Sequence, residues 1–191
     1  MKKSLAVLAL SLIGLVSMPA YSDKYIVDTK GAHASINFVI KHLGYSYIIG
    51  RFNTFSGEFS YDPNNIAAST VNIAIDTRSV DSNHAERDKH LRSSDFLNVD
   101  KNPKATFVSR KVVLDDDGTF KITGDLTLNA VTRSITIAAE KVGEGKDPWG
   151  GYRVGFVGET EFALKDFNIT KDLGPASQTV KLELHIEGVR Q

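Results

Sequence analysis

Residues 120–139 read FKITGDLTLNAVTRSITIAA, and this stretch sets the pattern for the whole chain. Apolar side chains recur at every second position from residue 120 to residue 128 and again from 135 to 139, on either side of Asn129-Ala130. A period of two is the spacing of side chains on one face of a β-strand. The stretch therefore predicts two antiparallel strands joined by a tight turn, each with one apolar and one solvated face.

The same alternation extends outward from this stretch in both directions. It recurs in residues 36–40, 55–61, 71–75, 154–164 and 180–186, and further apolar segments lie at 25–28, 45–52 and 105–114. Turn-forming residues at 62–65, 115–118 and 143–151 separate these segments. The sequence lacks a strand–helix–strand rhythm, a GxGxxG sequence and a P-loop, which argues against a nucleotide-binding α/β fold. We predict nine or ten antiparallel strands in one all-β domain.

One stretch departs from the alternation and predicts a short helical insertion near residues 83–97, NHAERDKHLRSSDFL. Ala, Glu, Arg, Lys and Leu favour helix, and Asp81 or Ser82 is expected to cap its start. Phe96 follows the helix in a short turn. In a closed barrel, an inserted helix of this kind can plug or gate one end.

The lengths of the predicted strands favour a closed barrel over a sandwich. Strands of about nine to twelve residues in an eight-stranded barrel leave an interior that side chains can fill or that can hold one small ligand. The alternation alone does not choose between a solid core and a cavity, so both interpretations stay open at this point.

The amino terminus has the pattern of a Sec-type export signal. Lys2 and Lys3 precede an apolar run over residues 5–16, and Ala20 and Ser22 supply small residues for cleavage after Ser22. The apolar run is short for a membrane span, and no cysteine follows it to carry a lipid anchor. We therefore expect a signal peptide over residues 1–22, one domain over residues 23–191, and a periplasmic location.

Composition excludes several classes of function. The chain has 191 residues, 23 basic and 23 acidic side chains and no cysteine. Removal of a signal with two lysines and no acid leaves 21 basic against 23 acidic side chains, a formal net charge of −2. Nucleic-acid-binding domains carry a basic excess, which this chain lacks. Without cysteine, disulfides, thiolate metal sites and a cysteine nucleophile are excluded.

Three segments carry a resemblance to a known family. Residues 33–52 (HASINFVIKHLGYSYIIGRF), 71–98 (VNIAIDTRSVDSNHAERDKHLRSSDFLN) and 122–133 (ITGDLTLNAVTR) resemble the YceI-like family, and the similarity covers essentially the whole chain after residue 22. The resemblance implies an extended lipocalin-like antiparallel β-barrel whose long tunnel holds a polyisoprenoid or the tail of an isoprenoid quinone. It also implies an exported binding protein without an established catalytic activity.

Strand phase and this resemblance together predict the tunnel lining. The strand residues expected to line it are Ile36, Phe38, Ile40, Val71, Ile73, Ile75, Phe107, Ile122, Leu126, Phe156, Phe162 and Leu182. The lining is expected to end at a mouth formed by Leu91, Phe96 and Trp149, with polar groups from His42, His84, Arg87, Asp88 and Arg92. Arg87, Asp88, Arg92 and Asp95 are expected to form an ion-pair network that fixes the helix.

Catalytic and metal chemistry are weakly supported by the residues. The chain has no GxSxG sequence, and His84 and His90 would lie about 240° apart on a helix. Each i, i+4 pair of a histidine with an acid supplies two ligands, whereas zinc requires three or four. We therefore predict no enzymatic activity, no metal and no required cofactor, although protonation of His42 or His84 at the mouth could alter ligand release.

Two functions follow from the sequence. The first is a periplasmic protein that carries, stores or scavenges a long-chain isoprenoid lipid or isoprenoid quinone, with transient membrane contact, as a monomer or a homodimer. The alternative is a non-catalytic periplasmic stress or interaction protein whose barrel has a solid core. Neither function involves nucleic acid.

Overall fold

The computed structural model describes residues 22–191, so the predicted export signal lies outside the described residues except for Ser22. The regular elements, in chain order, are β1 (Asp23–Val27), β2 (Ser35–His42), β3 (Ser46–Phe52), β4 (Phe55–Tyr61), β5 (Thr70–Asp76), β6 (Val80–Asp81), α1 (Ala85–Arg92), β7 (Lys104–Leu114), β8 (Phe120–Leu128), β9 (Val131–Lys146), β10 (Tyr152–Ala163) and β11 (Thr179–Arg190). The all-β class with one short inserted helix is confirmed.

The eleven strands combine into eight strand paths around a closed antiparallel barrel. Along β11, Val180 pairs with Ile40 of β2 and Arg190 pairs with Tyr25 of β1, so β1 and β2 form one interrupted strand. By the same registers β3 continues into β4, and β5 into β6. The order around the barrel is β1–β4–β5–β7–β8–β9–β10–β11, and the pairing of β1 with β11 closes it.

The turn between β8 and β9 forms as the opening stretch predicts. Asn129 and Ala130 both have positive φ, 48° and 63°, as a two-residue type I′ hairpin requires. Asparagine tolerates this conformation, and the buried Asn129 side chain also donates a hydrogen bond to the Phe167 carbonyl at 3.1 Å and accepts one from the Asn102 amide at 2.8 Å. The turn therefore ties together two segments at the same end of the barrel.

The β9–β10 hairpin is longer than predicted. Residues 143–146 belong to β9, and the turn is confined to 147–151, where the Asp147 carboxylate accepts hydrogen bonds from the backbone N–H groups of Trp149 (3.0 Å) and Gly151 (2.7 Å). The glycines near residue 143 predict a turn, but Gly143 pairs with Gly155 on β10. Strand pairing over a long hairpin overrides the local turn tendency of glycine.

The inserted helix starts later than predicted. Its N-cap is His84, whose Nδ1 accepts a hydrogen bond from the Arg87 N–H at 3.2 Å, and not Asp81 or Ser82. Asn83 has φ of 60°, which turns the chain between β6 and α1 and prevents an earlier start. Phe96 and Leu97 lie in the turn after the helix, where both are buried. No helix within residues 22–191 is long and apolar enough to cross a bilayer.

Candidate functional site

The interior of the barrel contains two apolar chambers that adjoin each other. We call them the aromatic chamber, lined among others by Phe59, Tyr61 and Phe156, and the helix chamber, lined among others by Leu91 of α1. Their volumes are about 130 Å³ and about 290 Å³, well above the ~10–15 Å³ that one water molecule needs. The residues common to both linings are Ile36, Ile75, Leu126 and Leu182, which mark the junction between the chambers.

Four aromatic rings pack around the end of the aromatic chamber. The ring of Phe156 lies edge-on to those of Phe59, Tyr61 and Phe120, with centroids 5.9, 5.4 and 5.6 Å apart. Tyr25 stacks on Phe59 at 5.1 Å. Edge-to-face contacts of this kind add to the stabilisation from burial, so the cluster closes this end of the barrel with packed side chains.

Two inward-facing glycines leave room for large lining side chains. A Cβ at Gly57 would lie 2.3 Å from Cδ1 of Ile73, and one at Gly124 would lie 2.6 Å from Cζ of Phe107. Both distances are shorter than any van der Waals contact, so Ile73 and Phe107 pack directly against backbone. Glycine at these positions serves the packing of the chamber wall.

The helix chamber is bounded by elements from several distant parts of the chain. Leu91 of α1, Phe96 and Leu97 after it, and Leu164 and Leu173 between β10 and β11 contribute to its wall. The ionisable residues in its lining are Arg87 and His90, both on α1. The chamber surface is apolar almost throughout, and the two ionisable residues beside it both belong to the inserted helix.

Hydrogen bonds to Ser82 and to backbone groups beside β6 hold the start of α1 against the barrel. The Asp88 carboxylate is buried and accepts hydrogen bonds from the Ser82 N–H (2.8 Å) and hydroxyl (2.5 Å). Arg87 donates from Nε to the Ser82 hydroxyl at 2.7 Å and from Nη2 to the Ser82 carbonyl at 2.6 Å. Arg92 donates to the carbonyl of Val80 at 3.0 Å. The prediction of a mutual ion-pair network for these residues is wrong, because their partners are backbone groups and a hydroxyl next to β6.

Asp95, the fourth residue of the predicted network, forms an ion pair with Lys171 and a hydrogen bond with His90. Its carboxylate lies 3.0 Å from Nε2 of His90 and 3.0 Å from Nζ of Lys171. These two groups hold the pKa of Asp95 below its usual value through hydrogen bonding first and charge second. The pairing connects the end of α1 to the segment before β11.

Most of the predicted lining residues lie on the chamber walls. The aromatic chamber contains Val71, Ile73, Phe107, Ile122 and Phe156, the helix chamber contains Phe38, Ile40, Leu91, Phe96 and Phe162, and the junction contains Ile36, Ile75, Leu126 and Leu182. Strand phase located the strand positions among them, because an inward side chain in a closed barrel has only the interior to face. Leu91 and Phe96 lie on α1 and in the turn after it.

Trp149 lies elsewhere than predicted. It sits in the turn between β9 and β10, at the end of the barrel opposite α1, with 74% of its surface exposed. Its ring packs under the guanidinium of Arg153 at 5.2 Å and lines neither chamber. The placement at the mouth was wrong because the long hairpin carries this turn away from the interior.

The structure places the polar residues predicted at the mouth in different positions. Arg87 lines the helix chamber, whereas Asp88 and Arg92 anchor α1 to the backbone and Ser82. His84 is the exposed N-cap of α1, and His42 is exposed at the end of β2. His90 is the histidine that lines the helix chamber, and its helical position one turn from Arg87 is the signal that could have identified it.

Other residues that line the chambers are not among those predicted from the sequence. Ile48 and Phe52 of β3 line the helix chamber, and Phe59, Tyr61 and Phe120 line the aromatic chamber. Phe59 and Phe120 alternate with outward polar residues, and this alternation carried the signal for them. For β3 it did not, since Tyr47, Ile48 and Ile49 are consecutive apolar residues and the inward phase is ambiguous.

A charged cluster lies beside the interruption between β1 and β2. Nη1 of Arg153 contacts Asp28 at 2.5 Å and Glu187 at 2.6 Å, and its Nε contacts Asp147 at 2.8 Å. The hydrogen bond from Arg153 is the main cause that lowers the pKa of Asp28 to about 2. Asp28, His33 and Glu187 lie close enough to offer three ligands to a metal, but both carboxylates already contact the Arg153 guanidinium. The cluster is an ion-pair network that joins β1, β10 and β11.

The fold and its hollow apolar interior define a closed antiparallel barrel of the type that encloses small apolar molecules. Residues 25–188 match the YceI-like domain, and the chain belongs to this family. A UPF0312 protein of Vibrio vulnificus is 58% identical over 191 residues, covering 100% of both chains. A UPF0312 protein of a Shewanella species is 57% identical over the same full lengths.

Solved structures share the architecture. The YceI protein of Campylobacter jejuni superposes with a TM-score of 0.72 at 28% identity, covering 80% of this chain and 90% of that one. Burkholderia cenocepacia BcnA gives 0.76 at 22% identity, covering 84% and 98%. A polyisoprenoid binding domain from Saccharophagus degradans gives 0.64 at 14% identity, covering 90% and 100%. At these last two identities the similarity is one of fold.

Proposed function

We propose that the protein binds one long apolar chain, such as a polyisoprenoid or the tail of an isoprenoid quinone, along the barrel interior. The observation that carries the proposal is the adjacency of two apolar chambers through Ile36, Ile75, Leu126 and Leu182. An elongated apolar void fits a chain better than a compact ligand, since a chain can pass the junction. The contacts of such a chain would replace water or vacuum along the apolar walls.

The polar end of the ligand is assigned to the helix chamber. Its ionisable lining residues are Arg87 and His90. Arg87 keeps N–H groups beyond those that bind Ser82, and these can donate hydrogen bonds to a pyrophosphate or a quinone carbonyl. The hydroxyl side chains that line the aromatic chamber are those of Ser60, Tyr61, Ser69 and Thr160. Its lining contains no charged residue. The tail would therefore point toward the aromatic cluster and the head group toward α1.

The solved polyisoprenoid binding domain with the same fold supports this assignment of ligand class. The amino-terminal pattern of residues 2–22 supports export to the periplasm, where such a protein would carry, store or scavenge the lipid without catalysis. The distribution of side chains agrees with a binding role, because the hydroxyl groups of the aromatic chamber have no histidine or carboxylate beside them in its lining. Export is tested by the mass of the protein from the periplasmic fraction, which is expected to begin at Asp23.

The alternative of a stress or interaction protein with a solid barrel core is less well supported. Chambers of about 130 and 290 Å³ leave lining residues such as Ile73 and Phe38 without partners on one side. A core of native density has few voids larger than one water molecule. Cavities of this size fit the binding of a ligand better than the packing of a solid core.

The direct test is native mass spectrometry of the full-length protein expressed with its signal and purified from the periplasmic fraction without detergent. We expect a mass increment that disappears on organic extraction, with a prenyl lipid in the extract. The delipidated protein should then take up a long-tail isoprenoid quinone added from ethanol. A protein that is repeatedly empty and takes up no prenyl chain would contradict the proposal.

A further inference from the structure

The β2–β3 hairpin exposes apolar side chains that have no internal partner. Leu43, Tyr45, Tyr47 and Ile49 are 57%, 88%, 63% and 64% exposed. They account for four of the ten large apolar side chains exposed within residues 22–191, all within seven positions. Such a cluster at the tip and on the outer face of one hairpin is typical of an interaction surface.

The backbone at the tip shows that the apolar character is not required by the fold. Leu43 has φ of +51° and is followed by Gly44 at +86°. A bulky residue in the left-handed region is uncommon, and asparagine or glycine suits it better. Leu43 therefore occupies a conformation that disfavours leucine, and its exposed side chain gains little burial in return. A contact outside the chain would explain why leucine stands there.

The charge of the surrounding sequence favours an anionic partner. Residues 29–57 contain no Asp or Glu, although the chain has 23 of them, and they include Lys30, Lys41 and Arg51. Lys41 lies on the hairpin itself, opposite Tyr47, with Nζ 6.0 Å from the centre of the tyrosine ring. The hairpin thus combines tyrosines, aliphatic side chains and a lysine, the composition of a surface at a membrane interface.

The hairpin is also a wall of the binding site. Ile40 and Ile48, which pair across β2 and β3, face inward and line the helix chamber, while Tyr47 and Ile49 face outward. The edge of β3 away from β2 pairs with β6 at Arg51 and Phe52, and residues 46–50 have no partner there among the described strands. On this side of the barrel, the β2–β3 hairpin separates the helix chamber from the solvent.

We propose that residues 41–49 dock on an anionic phospholipid bilayer and place the wall of the helix chamber at the membrane surface. Leu43, Tyr45, Tyr47 and Ile49 insert at the level of the head groups, and Lys41 contacts lipid phosphates. This inference rests on the proposed function, since it gives an apolar chain a short path between the bilayer and the barrel. A second copy of the chain fits this surface less well than a bilayer. The area of four side chains is smaller than the ~800 Å² that each partner of a stable dimer buries. A symmetric dimer would also bring like charges together.

Vesicle flotation of the full mature protein tests docking separately from ligand binding. With vesicles of phosphatidylglycerol and phosphatidylethanolamine we expect binding at low salt that weakens at high salt and on pure phosphatidylcholine. Tyr45→Ser with Tyr47→Ser should reduce the partition coefficient about tenfold or more, and Lys41→Glu about fivefold or more. Trp149→Ser, at an exposed position on the opposite hairpin, should leave it unchanged.

Leu43→Asn separates a loss of vesicle binding from a loss of folding. Because asparagine suits the left-handed turn, this variant should melt at the same or a higher temperature than the wild type while its vesicle binding falls. All variants should still take up a long-tail quinone from ethanol, and loss of that uptake in the wild type would refute the proposed function alone. Docking is refuted if the wild type does not float, if Trp149→Ser is equally impaired, or if the tyrosine variants only convert a dimer to a monomer.

Discussion

Asp88 and Ser82 form a paired contact that fixes the inserted helix to the barrel. One carboxylate oxygen of Asp88 accepts hydrogen bonds from both the N–H and the hydroxyl of Ser82, six residues earlier, and both residues are buried. Because Arg87 of the same helix lines the helix chamber, this contact sets the position of the polar end of the proposed binding site.

Asp88→Ala should destabilise the protein by about 1–3 kcal/mol, since it leaves the buried N–H of Ser82 without an acceptor. Urea denaturation at neutral pH measures the change. Lys89→Ala, on the exposed side of the same helix, is the control and should change stability by less than about 0.5 kcal/mol. Equal effects of the two substitutions would show that the Asp88 contact contributes little.

Stability should fall at acid pH because of Asp28. Its pKa is lowered to about 2 in the folded state from an ordinary value of 3.8, so the folded state favours the charged carboxylate. The stabilisation is present above about pH 4 and is lost as the pH falls toward 2, and it amounts to roughly 2 kcal/mol. In Asp28→Asn, the free energy of unfolding at pH 7 should be lower than that of the wild type, and it should depend less on pH below pH 4. Unfolding free energies measured between pH 2 and 7 test this. The exposed Asp116→Asn should retain the wild-type profile.

Two phenylalanines distinguish a ligand chamber from a packed core. Phe167 is fully buried and lines neither chamber, whereas Phe156 lines the aromatic chamber. Phe167→Ala should cost about 3–5 kcal/mol in the delipidated protein. Phe156 packs against other rings on one side only and faces the chamber on the other. Phe156→Ala should therefore cost less stability than Phe167→Ala and should also shorten ligand retention. If the two variants lose equal stability and ligand retention is unaffected, the barrel has a solid core.

Affinity should increase with the length of the prenyl tail, but less than proportionally. Each buried CH₂ contributes about 0.8 kcal/mol, and ordering a flexible chain offsets part of this gain. Titration of the delipidated protein with quinones of increasing tail length measures the increment per isoprene unit. A uniform affinity across all lengths would argue against burial of the tail.

The junction between the chambers offers a sharper version of this experiment. Leu182→Phe adds volume where the two linings meet, so it should weaken long tails while leaving tails that fit one chamber almost unaffected. Val113→Phe, at a 36% exposed position on β7, controls for the larger side chain itself. Uniform weakening of short and long tails by Leu182→Phe would contradict passage of the chain through the junction.

Sequence alternation, together with the family resemblance, was sufficient for most of the lining, because an inward side chain in a closed barrel has only the interior to face. Ile73, Ile122 and Leu126 follow from phase alone. It failed for Trp149, where the register of a long hairpin decided the position, and for Ile48, where three consecutive apolar residues hide the phase. It also could not identify the partners of Arg87 and Asp88, which depend on how the chain turns at Asn83.

The sequence by itself determined the all-β class, the family and the inward set of apolar residues, because period-two patterning is a local property that every strand carries. The tertiary structure alone decided that the interior is divided into two adjoining chambers, that Arg87 and His90 bound one of them, and that an apolar hairpin remains exposed beside it. These features arise from distances between residues far apart in the chain, such as Ile36 and Leu126 at the junction, and no local pattern encodes them.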